Sequence, residues 1–161
     1  MALTKAEREF HRKTAAACFN RTWDYLDMKK RDSREAEEML NLAHTSRYHW
    51  GVLKRPRQEA VGDWQLGRVY AAVGNSELSL QYALSCLRTC EKKHLNDLIP
   101  SAMEGVARAY AVAGDLTNAA KLLQMARAKL DRLKLEAEDK RIYASQIRET
   151  QRLIRRRRPL A

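Results

Sequence analysis

Two stretches of this chain, forty residues apart, carry the same pattern. WQLGRVYAAVGNSELSLQYALSCL (64–87) lies over EGVARAYAVAGDLTNAAKLLQMAR (104–127), which places Arg68, Tyr70, Ala71 and Gly74 on Arg108, Tyr110, Ala111 and Gly114. An internal repeat constrains a fold strongly, because each unit has to bury its apolar face against its neighbours. Each unit reads as a helix ended by a glycine free to take left-handed backbone angles. Asn75 or Asp115 follows at once, and its short side chain caps the next helix. The unit is therefore an antiparallel helical hairpin.

The second helix of each hairpin has small residues where two helices come close: Ser79, Ala83 and Cys86 in one unit, Ala119 and Ala126 in the other. Leu87 and Leu123 fill the remaining space. Ala36, Leu40 and Ala43 repeat this spacing upstream and predict an earlier hairpin. Its first helix would bury the stripe Ala16, Phe19, Trp23 and Leu26, which has the spacing of one helix face. Thr4 with Glu7, and Asp32 with Glu35, each pair an N-cap residue with an acid three places later and open the two helices of that hairpin. Only six glycines and three prolines interrupt the chain, and no alternating strand-like run appears, so the expected class is all-α. A last helix over about 136–157 carries Tyr143, Ile147, Thr150 and Ile154 on one face and serves as the end piece that such an array needs.

The pattern W-x-L-G-x-x-Y in 64–70, then Gly74-Asn75, then small residues at 79, 83 and 86, resembles a tetratricopeptide repeat. Tyr110, Gly114-Asp115, Ala119 and Ala126 resemble a second. The period of 40 departs from the usual 34 of that family, and longer helices absorb the difference. The resemblance implies a right-handed stack of about three hairpins, over about 4–53, 57–95 and 97–133, plus the capping helix. It also implies that the first helices line a concave groove, with Trp64, Arg68 and Ala71 of one repeat and Glu104, Arg108 and Ala111 of the next facing into it.

Within each repeat, residues 64 and 68, like 104 and 108, lie one turn apart on one helix face. Stacking would bring Arg68 and Arg108 together as a fork for a carboxylate, with Trp64 as an aromatic wall. The expected partner is a protein or acidic peptide. The alternative is that Glu104 simply neutralises these arginines and the groove is a solvated charged face.

Other chemistry is weakly supported. The stretch AHTSRYHWG (43–51) gathers two histidines, but His44 and His49 are five apart and fall about 140° from each other around a helix, which rules out an i, i+4 metal pair. It reads better as a helix end, with Arg47 and Trp50 continuing the packed face and Gly51 closing it. His44 and Arg47 remain secondary candidates for holding an anion. No nucleophile elbow, phosphate-binding glycine loop or cysteine–histidine signature is present, so a non-enzymatic role without metal or cofactor is expected, the further alternative being an enzyme or small-molecule site built from His44, Arg47, Glu104 and Arg108. Cys18, Cys86 and Cys90 lack zinc spacing and read as buried thiols of a cytoplasmic protein.

The formal charge is +11, and residues 152–161 contribute five of those charges through arginines with no acid among them. This basic tail reads either as solvated or as an anchor for nucleic acid whose affinity would fall with salt. No run of 18 apolar residues exists, so no membrane span is expected. Open-ended stacks also expose edges that a second copy can cover, which makes a homo-oligomer plausible.

Overall fold

The computed structural model describes residues 2–157. They form seven α-helices: α1 Lys5–Leu26, α2 Ser33–Val52, α3 Pro56–Ala72, α4 Ser76–Lys92, α5 Ile99–Ala113, α6 Leu116–Arg132 and α7 Ala137–Arg157. None of these helices is long and apolar enough to cross a membrane. Helices consecutive in sequence pack on each other throughout. The most extensive pairs are α3 with α4, α1 with α2 and α5 with α6, and α4 stacks on α5 as α2 does on α3. Beyond nearest neighbours, α5 touches both α3 and α7.

The local signals act as the residues dictate. Thr4 and Asp32 each accept the amide of the residue three on, Glu7 and Glu35, while those carboxylates return to the cap amides. Gly74 and Gly114 adopt φ of 80° and 88°, in the left-handed region where a Cβ would be penalised. Each turn closes identically, the amide of Asn75 on the carbonyl of Tyr70 at 2.9 Å and that of Asp115 on Tyr110 at 3.0 Å. The same closure recurs between hairpins, from Leu95 to Cys90 at 2.8 Å and from Arg55 to Trp50 at 3.4 Å. There the left-handed residues are Lys54 and His94, also forty apart and neither of them glycine. Helix α2 consequently runs past Gly51 to Val52, and Lys54, not the expected glycine, makes the turn.

Small residues set the interhelical distance in the hairpins. Ser79, Ala83 and Cys86 are buried on α4, as are Ala119, Leu123 and Ala126 on α6. Ser79 Oγ donates to the Gly67 carbonyl at 2.8 Å, and a Cβ on Gly67 would sit 3.2 Å from the α4 backbone. Helix α5 is the centre of the molecule, with twelve of its fifteen residues buried. Its surroundings leave no solvated face.

The first hairpin is rotated from its expected register. Ala15 and Thr22 are the buried residues of α1, whereas Ala16, Phe19, Trp23 and Leu26 are half-buried. On α2 the deepest positions are Met39, Leu42, Ala43 and Ser46, so Ala36 and Leu40 sit at the flank. Ser46 Oγ donates to the Ala15 carbonyl at 2.9 Å across this interface, which a hydroxyl at that position requires once buried.

Candidate functional site

Helices α1, α3, α5 and α7, the odd-numbered elements of the chain, share one hollow of about 480 Å³. Trp23 and Leu26 border it from α1, Arg68 and Ala71 from α3, Arg108 from α5 and Glu149 from α7. Arg68 and Arg108 thus converge, as the forty-residue offset predicts. Their side chains are only 11% and 10% exposed, so both charges are largely withdrawn from water.

Two guanidinium groups this close repel unless a carboxylate lies between them. Glu149 provides it. One of its oxygens accepts from Arg68 Nη2 and the other faces Arg108 Nη1 at 3.5 Å. Partial burial pushes the Glu149 carboxyl upward, but the Arg108 and Arg68 charges and their hydrogen bonds outweigh it and hold the group below the usual carboxylate range. Burial, and then the Arg108 charge, lower Arg68 against the opposing pull of Glu104 and Glu149.

Behind this pair, Glu104 is completely buried and anchors Arg108. Its Oε1 accepts from Arg108 Nη2 at 2.9 Å and Nε at 3.1 Å, and also from the Thr150 hydroxyl. Arg108 is therefore oriented from beneath, by a largely desolvated ion pair with ordinary hydrogen-bond geometry. Arg68 is positioned differently: its guanidinium lies 5.4 Å from the Trp23 ring and 5.5 Å from that of Trp64. Aromatic faces attract a cation at this range without using up its N–H donors. Arg68 Nη1 is buried and has no acceptor. It is a buried charged donor left unsatisfied on a residue that lines the hollow.

Two further arginines line the space. Arg31 Nη1 donates to the carbonyls of Tyr25 at 2.5 Å and Met28 at 3.1 Å, closing the C-terminus of α1. Arg157 Nη1 donates to the Val112 carbonyl at 3.0 Å in the last turn of α5. With Asp27 and Glu149 as the acids, the lining carries four guanidinium groups against two carboxylates. A net positive, partly dry hollow results, suited to anions.

Several sequence expectations need correction. Trp64 is only 8% exposed and packs against Trp23 with the rings tilted and their centroids 5.9 Å apart, so Trp23 forms the aromatic wall and Trp64 lies beneath Arg68. Glu104 and Ala111, expected in the groove, are both 0% exposed, because α7 covers α5 and converts those positions into core. Arg68, Ala71 and Arg108 do line the hollow.

His44 and Arg47 do not act together. His44 Nε2 lies 2.8 Å from the Tyr70 hydroxyl and its ring packs edge-on against Tyr70 and Tyr82, with burial lowering its pKa. Arg47 turns to α3, where it pairs with Asp63 at 2.5 Å and Glu59 at 3.3 Å. His49 instead meets His11 of α1, their Nδ1 atoms 2.6 Å apart, and its pKa is lowered by burial and by the His11 charge. Among the described residues, no cluster of three or more histidine, cysteine or acidic side chains has metal-binding geometry. Cys86 and Cys90 are buried free thiols and Cys18 is half-buried.

Trp23, Arg31, Glu149 and Arg157 were not expected at this site. Only Glu149 left a trace in the sequence: it is the single acid between Lys140 and Ala161, among eight basic residues. Comparison of the chain with protein-family models, with curated proteins and with solved structures finds no match.

Proposed function

We propose that this chain is a non-catalytic, tetratricopeptide-like binding module, a right-handed stack of three hairpins closed by α7, that holds an acidic segment of a partner protein in the hollow between its odd-numbered helices. The observation that carries this reading is the Arg68–Glu149–Arg108 arrangement. One carboxylate on a helical segment already bridges the two guanidinium groups, which is the contact an aspartate or glutamate of a partner would make. Glu149 is half exposed at 51%, so an incoming carboxylate has a path to the pair and a residue to displace. The buried Nη1 of Arg68 offers a donor that Glu149 does not use. Alanine at position 71 keeps the floor open on that side.

Specificity in such a hollow comes from leaving charged donors unpaired when the wrong group enters. A neutral or basic segment that displaced Glu149 would leave Arg68 without a carboxylate and Arg108 with Glu104 alone. The test is fluorescence anisotropy with a labelled oligo-glutamate peptide and its glutamine counterpart. The acidic peptide is expected to bind the native chain, and the Arg68→Gln/Arg108→Gln chain is expected to lose at least about tenfold in affinity, the equivalent of about 1.4 kcal/mol. Equal binding of both peptides, or undiminished binding to the double variant, contradicts the proposal. The cytoplasm is the compartment that suits three free cysteines.

A further inference from the structure

The outer face of α7 is a separate feature that the hollow does not explain. Arg141, Arg148, Arg152 and Arg155 are all exposed. At about 100° per residue they fall within an arc of about 60° and span about 21 Å along the helix. Arg156 lies about 40° outside that arc. The buried residues Ile147, Thr150 and Ile154 occupy another arc of the helix, so the arginines face solvent, with Arg155 nearest the edge of the core. Arg127 of α6 stands across a shallow cleft from Arg155 and widens the charged face.

An exposed row of like charges on a helix is costly, and surface arginines are commonly neutralised by neighbouring acids. None of these arginines has a carboxylate within ion-pairing distance among the described residues. Glu149, three residues before Arg152, is the acid placed to pair with the row. It is instead turned into the hollow by Arg68 and Arg108. At the N-terminal end, Glu138 stands one turn before Arg141 and marks where the uncompensated row begins.

We infer that the Arg148–Arg152–Arg155 face of α7 binds the phosphate backbone of a nucleic-acid duplex without reading its sequence. Guanidinium groups clamp phosphate oxygens bidentately, and a rigid helix holds them at fixed intervals. No aromatic side chain is exposed along the row, and Tyr143 is half-buried on another side of the helix. Without stacking platforms, single strands gain little over duplexes. An anionic membrane is disfavoured because insertion needs an apolar row beside the charges, whereas Ile142 is the only exposed large apolar residue of α7. The inference does not depend on the acidic-peptide reading, since neither Arg68 nor Arg108 is among the residues that would touch phosphate.

The experiment is a salt titration of the full chain binding a short fluorescent DNA duplex between about 50 and 200 mM salt, where each neutralised phosphate contributes about 0.9 to the slope of log K against log salt. Arg148→Gln/Arg152→Gln/Arg155→Gln is expected to flatten that slope by about 3 and to weaken binding at the lowest salt by at least about tenfold. A control with the same net charge, Arg88→Gln/Lys92→Gln/Lys93→Gln on the exposed end of α4, is expected to keep most of the slope. Circular dichroism of all three chains checks that the helices are intact. The inference is overturned if the native chain fails to bind the duplex, or if the α7 variant keeps the native slope. It is also overturned if the α4 variant loses as much as the α7 variant, since net charge alone then suffices. Vesicles of phosphatidylserine and phosphatidylcholine provide the last arm. Capture on them as tight as on the duplex, released by the same α7 substitutions, would replace the nucleic acid with a membrane.

Discussion

Replacing Glu104 by glutamine tests whether the site is built from beneath. Glu104 is fully buried and its Oε1 receives Arg108 Nε, Arg108 Nη2 and the Thr150 hydroxyl, while its Oε2 has no partner. Glutamine keeps the shape and one carbonyl acceptor but removes the charge facing a guanidinium that is itself only 10% exposed. Breaking a buried ion pair from one side costs about 3–5 kcal/mol, because the remaining charge stays buried. Glu149 stands 3.5 Å from Arg108 Nη1 and supplies partial compensation, so the lower value, about 3 kcal/mol, is expected. In urea, with a slope of about 2 kcal/mol per molar, the midpoint should fall by about 1.5 M. The paired variant Glu104→Met/Arg108→Met should recover most of this loss, since two apolar residues of similar volume leave no stranded charge. A midpoint shift under about 0.5 M for the single variant, or no recovery in the pair, would show that Arg108 is not held by Glu104.

Other outcomes follow from the same geometry. Glu149→Gln should cost about 1–2 kcal/mol, more than a surface pair because two largely buried guanidinium groups then face each other, yet raise affinity for the oligo-glutamate peptide by about fivefold; calorimetry of both quantities separates competitor from structural tie. Gly74→Ala should cost about 1–2 kcal/mol, although its Cβ would touch nothing within 4 Å, because the cost lies in the positive φ. Lys54→Gly, at the other kind of turn, should move the urea midpoint upward by a few tenths of a molar, the relief of left-handed strain being partly offset by a more flexible unfolded chain. Acidification should weaken the fold through His44 and His49. Burial lowers both, so the unfolded chain binds more protons and stability falls as pH drops below the ordinary histidine value of 6.5. Urea midpoints at successive pH values check this, and His44→Gln/His49→Gln should flatten the dependence.

The parts of this fold that were legible are those governed by neighbours in sequence. The capping boxes at Thr4 and Asp32, the left-handed glycines and the small residues of α4 and α6 each act within a turn or two, so their pattern is local. The approach of Arg68 to Arg108 was legible because an offset of one repeat places equivalent residues on adjacent helices. Glu149 was not, since its role depends on how α7 rotates over α5, which only tertiary packing decides. The same rotation buried Glu104 and Ala111. For α1, Ala15 and Ala16 differ by about 100° but not in their fitness for a core, and Thr22 is buried where its neighbour Trp23 is the better core former, so composition pointed to the wrong face. That misplaced face concealed Trp23, whose ring now stands where Trp64 was expected. Lys54 and His94 were missed for a different reason: positive φ has no signature at lysine, and histidine's enrichment there is too weak to single out one position.

The most direct measurement of the central claim is a titration followed on the arginine side-chain Nε–H resonances of the full chain. Adding oligo-glutamate peptide should shift the Arg68 and Arg108 signals together along one saturating curve, with the Glu149 carboxyl carbon moving at the same midpoint as it leaves the pair. Arg47, tied to Asp63, should stay still. Saturable binding that moves the α7 surface arginines but leaves Arg68, Arg108 and Glu149 unchanged would contradict the account.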